Sequence, residues 1–319
     1  AGELATVKNL AAIHRQRGEL RAALEYCDYG LALCREEGNR VEEAHMLDSI
    51  GRVYEGHGDL EQALKQHQRA LALWRLLGHW VGEASSLESI GAIYRKQGDL
   101  DRALEHYMRS LTIWRVAGNR AGEASSLEAI AAVHRARGDP DKALKHYERC
   151  LTLYYDLGDR ASEAGVHASV AEIHQEREAP ERTMEHYHRA LALYQDLGDL
   201  IREATAYNNI AAIYYADERL DEALEYFERS LRTAREAGDE ARQVAPLRNI
   251  AAIRYRQGNL SEAARLMEEM IALREKLGYT DLDVERARLR RVQAELEGRE
   301  VEGGGGEVDG LEDGGAEEG

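Results

Sequence analysis

Twelve histidines, three cysteines and a run of four glycines are the parts of this 319-residue sequence with most chemistry to offer. A metal site on a helix needs two imidazoles three or four residues apart, so that both project from one face. No two histidines have that spacing, and His186 and His188, two apart, point in different directions. Cys27 and Cys34 are separated by seven residues, about 10 Å along a helix axis, which is beyond disulfide reach. With Cys150 they read as small buried hydrophobes of a reducing, cytoplasmic compartment. The glycine run at 303–306 precedes Glu307 rather than Lys and Ser or Thr, so it is no phosphate-binding loop. No G-x-S-x-G nucleophile motif occurs. The sequence therefore predicts a protein that is not an enzyme, with no metal and no cofactor.

The elements that would carry any site are set by repetition. Residues 83–104, "EASSLESIGAIYRKQGDLDRAL", return as "EASSLEAIAAVHRARGDPDKAL" at 123–144, identical at 14 of 22 positions. Glycines recur every 40 residues at Gly18, Gly58, Gly98, Gly138 and Gly258, with Glu178 and Glu218 at the missing points. A second series runs Gly38, Gly78, Gly118, Gly158, Gly198, Gly238 and Gly278. A fixed period of this size marks a repeat architecture. Within one unit, Leu87, Ile90, Gly91, Ile93 and Tyr94 share one helical face, and Ala103, Leu104, Tyr107, Leu111 and Trp114 share the face of a second helix. Gly98 suits a left-handed helix end, and Asp99 and Asn119 suit helix N-caps. No strand-like alternation appears, so the fold class is all-α.

In the third unit these positions, Leu87, Ile90, Gly91, Tyr94, Gly98, Ala103, Tyr107 and Ser110, resemble the signature of the tetratricopeptide repeat (TPR). The resemblance returns seven times over residues 1–280. It implies a right-handed superhelical solenoid of seven helix-turn-helix repeats. The units run 1–40, 41–80, 81–120, 121–160, 161–200, 201–240 and 241–280. The usual repeat has about 34 residues, so each unit here is roughly six longer, and the excess lengthens the joint between one unit and the next. Such joints resemble those of Pins/LGN-type adaptors and of TPR regions in bacterial signalling regulators. Ala11, Gly51, Gly91, Ala131, Ala171, Ala211 and Ala251 stand where helices should approach closely. Trp74, Trp114, Tyr154 and Tyr194, which recur at the repeat period, read as inter-repeat core rather than a ligand cage. His14, His134 and His174 take the packing position of Tyr54, Tyr94 and Tyr214.

The net charge of −17 argues against nucleic acid as a partner. No apolar run approaches a membrane span. Residues 281–298 are expected to form a capping helix with Leu282, Leu289, Val292 and Leu296 on one face. Residues 299–319 hold eight acids, one Arg and many glycines, a net −7 of the total, and are expected to be a disordered spacer. Unit five, with "EREAPERTM" at 176–184, is the weakest. Pro246 should make the first helix of unit seven start late or kink. The chain opens at Ala1 inside a unit, as a piece of a longer protein would.

The resemblance assigns a concave face to the first helix of each unit, and the partner is expected there: a protein or peptide held in the groove. Two stretches are candidates. Units six and seven offer Asn208, Asn209, Tyr215, Arg248, Asn249 and Tyr255, where Asn can serve a peptide backbone and Tyr and Arg can anchor it. Units two to four offer acids, Asp48, Glu88 and Glu128, followed by Arg52, Arg95 and Arg135. The Lys/Asn/Asn/Lys/Arg clamp with which some members grip a C-terminal carboxylate is only partly matched, by Asn209 and Asn249. The function expected is a non-catalytic scaffold or adaptor. The alternative is a peptide- or ligand-sensing regulatory domain of a larger signalling or transcriptional regulator.

Overall fold

In the computed structural model, residues 2–298 are described; the acidic segment 299–319 lies outside them. The described residues form fifteen α-helices and no strand. They are α1 (Gly2–Gln16), α2 (Leu20–Glu36), α3 (Arg40–Gly56), α4 (Leu60–Leu77), α5 (Trp80–Lys96), α6 (Leu100–Ala117), α7 (Arg120–Ala136) and α8 (Pro140–Leu157). There follow α9 (Arg160–Glu176), α10 (Pro180–Leu197), α11 (Leu200–Ala216), α12 (Leu220–Glu236), α13 (Glu240–Arg256), α14 (Leu260–Lys276) and α15 (Asp283–Leu296). Consecutive helices pack as antiparallel pairs, and each pair stacks on its neighbour within two compact bodies that divide between Asp159 and Arg160.

Local chemistry sets the helix ends. Asp99 accepts a hydrogen bond from the Arg102 amide at 3.0 Å, and Asn119 accepts one from the Gly122 amide at 3.0 Å. These side chains satisfy donors that the first helical turn leaves open. Each preceding helix closes on a residue with positive φ. At two turns that residue is not glycine: Glu178 has φ 53° and Glu218 has φ 56°, a conformation that costs an L-residue about 1–2 kcal/mol.

Pairing is tight where the repeat provides small residues. A Cβ on Gly82 would lie 2.3 Å from the Trp74 ring, and one on Gly51 would lie 2.4 Å from His67 Nε2. Ala11, Gly91, Ala131, Ala171, Ala211 and Ala251 are buried likewise. Trp74, Trp114, Tyr154 and Tyr194 are all core residues, 1–5% exposed. The cysteines are free and buried, and burial pushes the Cys27 thiol up to about 11.

Helix α13 starts at Glu240, in register with its counterparts, and runs through the buried Pro246 to Arg256. Of the two outcomes expected from Pro246, a late start or a kink, the late start does not occur. Tertiary contacts of Leu247, Ile250 and Ile253, buried in the core of the second body, outweigh one lost backbone bond. Helix α15 and the residue before it close that core with Val292 and Leu282, and Leu289 packs beside them; Leu296 is 51% exposed. Polar contacts fasten it: Arg286 to Glu275 at 2.6 Å, Gln293 to Glu268 at 2.9 Å, and Arg274 to Glu285.

Candidate partner-binding face

Asp48, Glu88 and Glu128 occupy one register position on α3, α5 and α7. Asp48 and Glu88 turn into the seam between helix pairs, and Glu128 turns to α8 of its own pair, instead of facing a groove. Asp48, 7% exposed, accepts from Trp74 Nε1 at 3.0 Å and from Ser86 Oγ at 3.0 and 3.1 Å, and shares a 2.9 Å bond with His67 Nδ1. Glu88 accepts from Trp114 Nε1 at 3.0 Å and from Ser126 Oγ. Glu128 accepts from Tyr154 Oη at 2.7 Å. The expectation that these acids face the partner is therefore corrected. A buried indole N–H or phenol O–H needs an acceptor, and the acid on the first helix of the same unit supplies it. Burial holds the carboxyls of Glu88 and Glu128 above the usual range, against the bonds they accept.

His67, fully buried, lies between Asp48 and Glu55, whose Oε1 is 3.0 Å from His67 Nε2. Burial opposes its charge, but the bonds to Asp48 and Glu55 outweigh burial and hold the imidazole above its ordinary range. Burial also works against Glu55, yet His67 and Lys96 hold its carboxyl below the usual value. Lys96 Nζ lies 3.4 Å from Glu55.

The arginines of these helices behave differently from the acids. Arg52 is exposed and donates to Ser49 Oγ at 3.1 Å. Arg95 is exposed and lies near Tyr107, on whose hydroxyl its charge acts. Arg135 is half-buried and is not without a partner. Between α1 and α3 is a recess of about 60 Å³ lined by Lys8, Arg15, Ser49 and Arg52, with Cys27 also in its wall.

In the second body the same register holds Ala168, Asn208 and Arg248. Helices α11 and α13 touch and carry Asn208, Asn209, Arg248 and Asn249 at matching register positions, all half-buried. Asn208 Oδ1 is buried with no hydrogen-bond partner. Arg248 is desolvated, which depresses its basicity, with Arg274, Glu285 and Arg288 nearby. Tyr215 is half-buried under Arg256, whose guanidinium lies 5.8 Å from the ring centroid. Tyr255 donates to Glu295 of α15 at 3.0 Å. Of the six residues expected on the open concave face, Arg248 and Tyr255 are approached by α15.

His67, Ser86 and Ser126 escaped the reading of the sequence, although a signal for them exists. An acid stands at this register only in units whose second helix carries Trp or Tyr at one fixed position: Asp48 with Trp74, Glu88 with Trp114, Glu128 with Tyr154. In two of the three a serine follows on the first helix of the next unit, Ser86 and Ser126.

Stacked helix pairs whose first helices keep a half-exposed polar face define a helical-repeat protein, a class built to present extended binding surfaces. The tetratricopeptide repeat model matches residues 3–75, 82–156, 163–236 and 202–276. The chain belongs to the tetratricopeptide repeat family, whose members generally mediate protein–protein interactions. No curated protein sequence matches it. Among solved structures, BtubC from P. vanneervenii is similar, with TM-score 0.62 and 22% identity over 69% of this chain and 93% of that one. A signal-transduction ATPase (STAND) protein with a tetratricopeptide repeat sensor, from Pyrococcus horikoshii, gives TM-score 0.73 and 17% identity over 93% of this chain. The match spans 45% of that longer protein. The apo form of RapI gives TM-score 0.64 and 15% identity over 86% of this chain and 98% of that one. These likenesses show the fold. Among the described residues no helix is long and apolar enough to cross a membrane.

Proposed function

We propose that the protein is a non-catalytic interaction scaffold that holds a segment of a partner protein along α11 and α13. The observation that carries this reading is the cluster of Asn208, Asn209 and Asn249. All three are half-buried, and none has a side-chain hydrogen bond among the described residues. An amide that is partly desolvated and unpaired is a cost to the free protein, and an approaching peptide backbone offers both the donors and the acceptors it needs. Tyr215 supplies an apolar anchor. Arg248 and Tyr255 join the face only when α15 yields room, since Glu295 holds Tyr255.

That contact favours a second reading, a peptide-sensing regulatory domain of a larger protein. A ligand that took Tyr255 would release Glu295 and loosen α15. The likeness to a STAND sensor and the resemblance of the 40-residue joints to Pins/LGN-type adaptors are compatible with either reading. Seven units over 1–280 and a cap over 281–298 are the organisation we propose for both.

Changing Asn208, Asn209 and Asn249 together to Ala should leave the circular dichroism melt nearly unchanged. It should lower capture of partner proteins from source cells at least tenfold, about 1.4 kcal/mol. A folded variant that captures the same proteins equally well would defeat the proposal.

A further inference from the structure

We infer that the first body carries a second binding face, cationic and formed by α1, α3 and α5, that takes an extended acidic peptide segment of a partner protein. The inference deepens the scaffold reading and rests on it.

Its basis is a separation of charges that the sequence conceals. In units two and three, acids and arginines alternate on the first helices, which suggests a mixed, self-neutralising surface. The structure withdraws Asp48 and Glu88 into the seam, where indole and serine donors occupy them. Arg52 and Arg95 stay outside, exposed. Arg15, also exposed, stands beside Arg52: both line the recess between α1 and α3, and both act on the Cys27 thiol. Arg15, Arg52 and Arg95 have no carboxylate partner among the described residues. The remaining charges near them cancel: Lys8 pairs with Glu42 at 2.8 Å, and Glu55 is shared by His67 and Lys96. His45, exposed on α3, has its imidazole held below its ordinary range by desolvation and by Lys8. Three guanidiniums without a carboxylate thus line one face of a chain whose net charge is −17. Carboxylates match them, because guanidinium binds carboxylate through paired, charge-assisted bonds.

Geometry narrows the ligand further. First helices of successive pairs lie on the order of 10 Å apart, and an extended chain advances about 3.3 Å per residue. Carboxylates at every third residue of an extended peptide would meet successive arginines. The recess beside Arg15 and Arg52, about 60 Å³, gives one of them a seat.

A labelled peptide of repeated Asp-Gly-Ser triplets, titrated against the full chain and followed by fluorescence anisotropy, tests this. We expect it to bind at least tenfold more tightly than its Asn-Gly-Ser counterpart, and to weaken several-fold when salt is raised from about 50 to about 300 mM. Arg52→Glu with Arg95→Glu should lower affinity at least tenfold with an unchanged thermal melt, whereas the Asn208, Asn209 and Asn249 variant should bind the peptide normally. Equal binding of the Asn peptide, or of the charge-reversed protein, would overturn the inference. So would equal binding of an oligonucleotide of the same charge, which would indicate unspecific attraction of polyanions. A chain ending at Gly298 that binds at least tenfold more tightly than the full chain would make its own acidic segment the occupant and overturn the partner assignment. If the peptide fails while the asparagine variant still loses its partners, this inference falls and the scaffold reading stands.

Discussion

One register position does opposite work in the two bodies. In the first, Asp48, Glu88 and Glu128 bind the aromatic residue of their own repeat, and Asp48 and Glu88 also bind a serine of the next. In the second, Asn208 keeps a partnerless buried oxygen and Arg248 is half-buried and desolvated. The backbone is the same, so the difference comes from what the neighbours bring. Where Trp74, Trp114 and Tyr154 offer a donor, the polar residue becomes part of the packing. At the matching positions of units six and seven stand Ala234 and Arg274, so Asn208 Oδ1 meets no donor there, while Arg248 lies near Glu285 and Arg288 of α15. A repeat protein can thus assign one slot to stability in one stretch and, as we propose, to recognition in another.

The sharpest way to break this comparison is at Asp48. Changing Asp48→Ala strands Trp74 Nε1, Ser86 Oγ and His67 at once. It should cost about 3 kcal/mol or more in a thermal or urea melt, the range for removing one partner of a buried pair. An effect below about 1 kcal/mol, the net worth of a single ordinary hydrogen bond, would show that the seam is not the source of cohesion.

A pH series probes the same slot. The folded state holds His67 above 6.5 and Glu55 below 4.5, their ordinary values. The stabilisation from His67 is complete below pH 6.5 and is lost as pH rises through its raised value. That from Glu55 is complete above pH 4.5 and is lost as pH falls through its lowered value. The cluster should therefore stabilise most between those limits, and a melt series on His67→Gln should lose that optimum. Glu88 and Glu128 are raised, so their protonated forms favour folding, and that contribution is lost as pH rises. Glu88→Gln should accordingly melt higher than wild type at about pH 8, with the gap closing toward about pH 4. A lower melt under the alkaline condition would mean that the carboxylate charge is needed.

A smaller effect is expected at the turns. Glu178→Gly should relieve a left-handed backbone and stabilise the second body by about 1 kcal/mol, slowing amide exchange across residues 164–200. Unchanged exchange would show that the turn at Glu178 does not weaken that unit. The smallest effect belongs to Asn208→Ala. It removes an unsatisfied acceptor and should change stability by no more than about 0.5 kcal/mol in either direction. A loss near that of Asp48→Ala would erase the distinction between the two bodies.

The sequence by itself determined the helices, their pairing and their period. Those follow from short-range rules: apolar spacing along a helix, an Asp or Asn at its start, a left-handed residue at its end. It also marked Trp74, Trp114, Tyr154 and Tyr194 as core, since large aromatic residues at a fixed register have nowhere else to go. Only the tertiary structure decided the direction of side chains at the border between two faces. Asp48 and Arg52 lie one turn apart on α3, yet one is buried and the other exposed. Helical periodicity places both near the same edge. What separates them is the arrival of donors from the second helix of the same unit and the first helix of the next, Trp74 and Ser86, which packing alone brings within bonding distance. Tyr255 shows the same dependence, because its hydroxyl is claimed by Glu295, a full repeat length further along the chain. A carboxylate can be desolvated when N–H and O–H groups meet it, whereas a guanidinium with no carboxylate within reach stays in water.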